Sequence, residues 1–151
     1  MDVILVLFTD DGERKGAAKV SKVTSSEAEW QTQLSPEEFA VTRRQGTEPP
    51  FTGRYWENHQ TGLYGCVCCC GDALFGSSEK FESGTGWPSF WAPLPQAVGT
   101  TRDTSFGVVR TAVHCSRCGG HLGHVFNDGP KPTGLRYCMN GVAMTFKPAA
   151  T

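Results

Sequence analysis

Two histidines, a carboxylate, a guanidinium and an isolated cysteine crowd one C-terminal stretch of the chain. They are His121, His124, Asp128, Arg136 and Cys138. This mixture suits thiol chemistry, because the thiolate is the nucleophile and nearby cationic or hydrogen-bonding groups raise its population. Arg136 and Asn140 share strand parity with Cys138, so on a regular strand all three face one side. A guanidinium and an amide there can hold a thiolate. A buried, inert cysteine is the competing reading. His121 and His124 stand three apart, a spacing that can aim two imidazoles at one ligand or one proton acceptor. Plain packing histidines are the alternative. Asp128-Gly129-Pro130 reads as a turn whose carboxylate orients a histidine or caps its own backbone.

Two further cysteine pairs carry metal-ligand spacing. Cys66-x-x-Cys69 and Cys115-x-x-Cys118 are separated by a long insert, and Gly119-Gly120 after the second frees the backbone to turn. Four thiolates close a tetrahedral zinc site with no open position, so the metal is structural. The run Cys68-Cys69-Cys70 leaves the second ligand of the first pair ambiguous. With Cys138, the chain holds seven cysteines, an odd number. In a reducing compartment that favours metal binding plus a reactive thiol over a disulfide framework.

The elements that must position these groups are mostly strands. Gly 18 and Pro 9 are high counts for 151 residues and point to a loop-rich β domain. Val109, Thr111, Val113 and Cys115 alternate on one face of a strand, and Val142, Met144 and Phe146 do so near the end. The best helix signal starts at Ser35, a candidate N-cap, with Pro36 at the first helical position and Glu38 completing a capping box. Leu34 and Phe39 fit a hydrophobic staple, and the helix should run to about Arg44 and stop before Gly46. Residues 1–28 are weakly committed and read as a flexible extension, although Val3–Phe8 can pair as an edge strand; the domain proper is 29–151. Between these, Gly84-Thr85-Gly86-Trp87-Pro88-Ser89-Phe90-Trp91 reads as a loop presenting an aromatic face to an apolar or thioether ligand.

These segments resemble the methionine-R-sulfoxide reductases of the MsrB type. The match includes Pro50-Phe51-Thr52-Gly53-x-Tyr55-Trp56, Gly62-Leu63-Tyr64-x-Cys66, Ser83-Gly84-x-Gly86-Trp87-Pro88-Ser89-Phe90, His121-Leu122-Gly123-His124-Val125-Phe126, Asp128-Gly129-Pro130 and Arg136-Tyr137-Cys138-x-Asn140. It spans about residues 34 to 148. The resemblance implies a mainly β fold of two antiparallel sheets with a short N-terminal helix, and one structural zinc on Cys66, Cys69, Cys115 and Cys118, away from the catalytic pocket. It implies reduction of methionine R-sulfoxide, protein-bound or free. Cys138 would be the nucleophile, Trp87 would hold the substrate methyl group beside Phe126, and His121, His124, Asp128, Arg136 and Asn140 would form the polar half of the pocket. The Cys138 thiolate would attack sulfur, the histidines would protonate the oxygen, and the resulting sulfenic acid would be reduced by a second thiol.

The chain departs from the family pattern in three places. Thr85 stands where many members carry a resolving cysteine, so an external thiol, thioredoxin or glutaredoxin, is the expected reductant. One extra residue lies between Cys66 and Leu74-Phe75. Gly141 replaces the serine common after the active-site asparagine.

The rival class is a non-catalytic zinc module that binds a partner. A net charge of −1 offers no pull toward nucleic acid or anionic membrane. No apolar run is long enough to span a bilayer, and the start lacks a basic, cleavable leader. The expectation is therefore an intracellular monomer, in the cytoplasm or an organelle.

Overall fold

A computed structural model describes residues 2–8, 14–68, 73–104, 107 and 109–148. Three antiparallel sheets and two short helices make up these residues. No helix among them is long and apolar enough to cross a membrane.

Strand β1 (Asp2–Phe8) pairs with β2 (Arg14–Ser21), so the Val3–Phe8 run does pair, and its partner is its own neighbour in sequence. Two helices follow. Helix α1 (Glu27–Gln33) is started by Ser26, whose hydroxyl accepts from Glu29 N while the Glu29 carboxylate accepts from Ser26 N. This second capping box goes beyond what the sequence reading expects. Helix α2 (Pro36–Thr42) has the expected box, Ser35 with Glu38, and the expected staple, with Leu34 and Phe39 both buried. It ends at Thr42, two residues short of Arg44. Gly46 N donates to Ala40 O across Gln45, which takes a left-handed φ of 57°. That bond, reaching back six residues, satisfies a helix-end carbonyl and turns the chain toward the site.

The remaining elements form two sheets, as the resemblance implies. The smaller contains β3 (Gly62–Cys66), β4 (Ala73–Gly76) and, from the chain end, β11 (Met144–Pro148), in the order β11-β3-β4. The larger contains β5 (Lys80–Phe81), β6 (Ser89–Phe90), β7 (Val98–Asp103), β8 (Arg110–Cys115), β9 (His121–Phe126) and β10 (Arg136–Met139). Its order is β5-β6-β10-β9-β8-β7. Aromatic rings join the two. Tyr64 and Phe75 from the small sheet meet Phe90 from the large one, with Phe75 and Phe90 stacked at 4.4 Å between centroids. All three are fully buried, and such contacts add to the burial of apolar area itself.

The alternation expected around β8 holds only in part. Val113 and Cys115 are buried, but Thr111 is exposed and Val109, ahead of the strand, is 61% exposed. Ala112 on the opposite face is buried too, and the β8–β9 register shifts between Val113 and His114. The strand is open at its Arg110 end and covered on both faces only from Ala112 onward, so the clean two-residue period is lost. On β11, Met144 is buried and Phe146 half-buried, while Val142 belongs to a 3-10 turn, Gly141–Ala143.

One buried carboxylate ties this turn to the loop that follows α2. Glu48 accepts from Gly141 N and Val142 N, each at 2.9 Å. The same region explains Gly141, since a Cβ there would lie 1.8 Å from the Arg54 carbonyl oxygen. Its replacement of a serine is therefore imposed by this loop's path.

Candidate active site

Strand register assembles the site. Cys138 sits opposite His124 on β9 and opposite Ser89 on β6, and His124 in turn sits opposite Ala112 on β8. Gly123 lets β9 and β10 close up, because a Cβ there would lie 2.1 Å from Cys138 O. A cavity of about 260 Å³ opens over this row. Thr47, Thr85, Trp87, Arg110, His124, Phe126, Arg136, Cys138 and Asn140 are among its lining residues. Sequence expectation and geometry therefore coincide for Cys138, His124, Arg136, Asn140, Trp87 and Phe126, which meet around one hollow.

Each wall has its own anchor. The Trp87 indole donates from Nε1 to Glu48 O at 2.9 Å. Asn140 is buried; it accepts from Glu48 N at 2.9 Å and donates to Leu122 O at 3.0 Å. Glu48 thus fixes the aromatic wall, the amide and the following turn together. Asp128 holds Arg136 through two hydrogen bonds, at 2.9 and 3.1 Å, and the guanidinium lies 4.4 Å from the Phe126 ring centroid. The Arg136 guanidinium holds the Asp128 carboxyl below its usual range, and the Asp128 hydrogen bond raises Arg136. Asp128 is thus placed on the arginine.

The histidines divide. His124 Nε2 lies 2.8 Å from an oxygen of Asp103 on β7, and Arg110 approaches the same oxygen at 3.3 Å. His121 lines the neighbouring cavity of about 340 Å³, with Thr42, Arg43, Thr101 and His114, rather than the hollow over Cys138. The two rings still stand 5.3 Å apart. Burial, then the neighbouring His124, push the His121 imidazole down to about 4, and its Nε2 has no hydrogen-bond partner among the described residues. His121 is therefore neutral near pH 7.

Asp103 and Arg110 are contributors that sequence reading does not reach, and Thr47-Glu48, though part of the matched segments, carry no role in it. Asp103 lies far from the histidine motif along the chain, and no spacing links the two. Only the β7-β8-β9 order brings them together.

Cys138 itself is half-buried. Burial pushes its thiol up; hydrogen bonding from Thr85, the charge of Arg136 and hydrogen bonding from Ser89 push it down, and burial wins in the substrate-free site.

The metal-ligand cysteines gather elsewhere. The sulfurs of Cys66, Cys68 and Cys118 all lie within 4.8 Å of one another, with Cys66 and Cys118 at 3.7 Å. A tetrahedral site with Zn–S bonds of about 2.3 Å has sulfurs about 3.8 Å apart, so the three thiols fit such an ion. Arg43 Nη2 and Gly120 N donate to Cys118 Sγ at 3.2 and 3.4 Å, as befits a thiolate. Cys115 is buried and stands outside this group of three. Its own turn is closed by Gly119 N donating to Cys115 O. Cys69, expected as the second ligand of the first pair, lies outside the described residues, as does Cys70.

A two-sheet β fold with a cysteine cluster, and a half-buried thiol sharing one hollow with an indole and an imidazole, define the class. A SelR domain matches residues 34–148, and the chain belongs to that family. Its relatives include the peptide methionine sulfoxide reductase MsrB of Thioalkalivibrio sulfidiphilus, 60% identical over 118 residues, which are 77% of this chain and 85% of the relative. The MsrB proteins of a Synechococcus species and of Agrobacterium fabrum are 53% and 54% identical, over 83% and 84% of this chain and 92% and 94% of theirs.

His121 gives a pH test of this packing. Its proton affinity is lower folded than unfolded, so between about 4 and 6.5 the unfolded chain binds the extra proton. Stability should fall as pH drops through that window and be insensitive to this group above it. H121Q should flatten that part of the profile, as read from urea midpoints between pH 4 and 7.

Proposed function

We propose that this chain reduces methionine sulfoxide in proteins, selecting the R epimer, with Cys138 as nucleophile. The observation that carries the proposal is the half-buried Cys138 sulfur in one hollow with the Trp87 indole and an Asp103-held His124. The MsrB relatives support the same reading.

The steps follow from this geometry. A thioether methyl fits against the indole, and the sulfoxide sulfur then faces Cys138. The thiolate attacks sulfur and forms an S–S-type bond as the S=O bond polarises. His124 delivers a proton to the oxygen, and Asp103 fixes which ring edge faces the pocket. The hydroxyl passes to Cys138, giving a sulfenic acid, and methionine leaves. One external thiol then forms a mixed disulfide with release of water, and a second frees Cys138. Thioredoxin or glutaredoxin with glutathione would supply these thiols, since position 85 has no sulfur. The opposite epimer would exchange methyl and oxygen, placing one of them against the wrong wall.

The sulfur cluster would hold one structural zinc, with no part in the reaction. Cys66, Cys115 and Cys118 are proposed ligands, and the fourth comes from the Cys68-Cys69-Cys70 run. The approach of Cys68 to Cys66 and Cys118 supports Cys68 over Cys69 in that place.

Two measurements test these readings. With dithiothreitol as reductant, the wild-type chain should turn over a peptide containing methionine R-sulfoxide and leave the S epimer, and C138S should fall to background. Equal use of both epimers, or activity in C138S, would contradict the proposal. For the metal, C68S should lose bound zinc and the thiolate-to-metal absorption of the cobalt-substituted protein, while C69S keeps both; the reverse result would return Cys69 to the clamp.

A further inference from the structure

The hydroxyl that occupies the missing cysteine's position is not idle. Thr85 Oγ1 lies 3.9 Å from Cys138 Sγ. Behind it, Ser83 Oγ stands 2.8 Å from Thr85 Oγ1 and 2.7 Å from Ser89 Oγ, and Ser89 donates to Trp87 O at 3.1 Å. Thr85 N donates to Ser83 Oγ, and Trp87 N donates to Thr85 Oγ1. Three hydroxyls therefore run in line from the nucleophile to a backbone carbonyl.

The loop that carries them is tightly held. Gly84 and Gly86, on either side of Thr85, take left-handed φ values of 75° and 88°. A Cβ on Gly86 would lie 2.7 Å from Phe51 N, which donates to Gly86 O at 2.9 Å. A side chain at Gly86 would force the loop to move, and the left-handed φ at both positions favours glycine, so Thr85 is aimed by the backbone.

We infer that Thr85, oriented by Ser83, is the hydrogen-bond donor that holds the Cys138 thiolate, so that a hydroxyl chain supports the nucleophile from the position of a resolving thiol. This deepens the reductase reading and rests on Cys138 as its nucleophile. With the thiol neutral, hydroxyl protons can all point away from sulfur: Cys138 S–H to Thr85, Thr85 to Ser83, Ser83 to Ser89, Ser89 to Trp87 O. When the thiol ionises, Thr85 turns its proton to sulfur, Ser83 turns its own to Thr85 Oγ1 and Ser89 turns its own to Ser83 Oγ. Only hydroxyl rotations are needed, and each contact along the chain keeps one proton.

The other charged groups around Cys138 come from its remaining sides. Arg136 lies on β10 with Asp128 on it, His124 on β9 with Asp103 on it, and Arg110 on β8. The Glu48 carboxylate is turned away to Gly141 N and Val142 N. From β6 and the 83–87 loop come hydroxyls and the Trp87 indole, with no charged side chain among the described residues there. Among the groups that lower the Cys138 thiol against its burial, Thr85 comes ahead of Arg136 and Ser89. Thr85 touches the reacting atom; Ser83 is a positioning residue.

The test is the pH profile of Cys138 alkylation by iodoacetamide in the reduced full-length chain, followed by mass of the Cys138 peptide. T85V keeps the shape and removes the hydroxyl. Its midpoint should rise by about one pH unit, near a tenfold loss of rate below the midpoint. T85S should titrate as wild type, and S83A should move the same way as T85V by less. A wild-type midpoint in T85V, or an equal rise in T85S, would overturn the inference. Should T85V not fold, an unmoved midpoint in S83A would do so. Alkylation needs no sulfoxide: the expected profile in a chain that reduces none would defeat the reductase reading and leave this inference standing.

Discussion

The register of β10 is the constraint on which the site depends. Pairing on both sides places Cys138 between His124 and Ser89. A slip of one residue would turn Tyr137 into the hollow and Cys138 to the other face. Register is fixed at several points outside the site. The Phe90 ring from β6 packs against Tyr64 and Phe75, and Met139, just after Cys138, is fully buried and donates to Pro88 O. Catalytic placement and core packing are thus one requirement here, and a mutation deep in the aromatic cluster can misplace a sulfur it never touches.

Glu48 is the second fastening. Through backbone and side chain it holds Asn140, Trp87, Gly141 and Val142. The pocket's apolar wall and the turn after Cys138 are therefore fastened together. A buried carboxylate in this position is satisfied by N–H donors, which is the condition for a buried charge to be tolerable. The electrostatics of the site then follow a simple opposition. Burial disfavours the thiolate, and donors gathered on several sides oppose that cost without cancelling it. The histidine behind the pocket is neutral for the same reason that the thiol is raised.

Much of this was legible in the sequence. The Ser35/Glu38 box and the Leu34/Phe39 staple are local signals, and local signals survive folding, whereas the cysteine spacing names Cys66 and Cys118 but not the Cys68 that stands with them. Cys138, Trp87, His124, Phe126, Arg136 and Asn140 could be named because ordered motifs carry them, and the structure gathers all six. The failures are those of long range. Asp103 meets His124 only through strand order, and Glu48 reaches Asn140 across most of the chain. The alternation read through Val109 and Thr111 breaks because β8 is open at its Arg110 end and covered on both faces only from Ala112 onward. His121 and His124 look equivalent by spacing, yet only one lines the hollow over Cys138.

The central claim is that Cys138 takes the oxygen and that nothing at position 85 can relieve it. A single-turnover experiment without reductant addresses both parts. Reduced protein mixed with excess methionine R-sulfoxide should release one methionine per chain and stop, and dimedone should then label Cys138 alone. Release of methionine with no adduct on Cys138, or an adduct confined to another cysteine, would contradict the account.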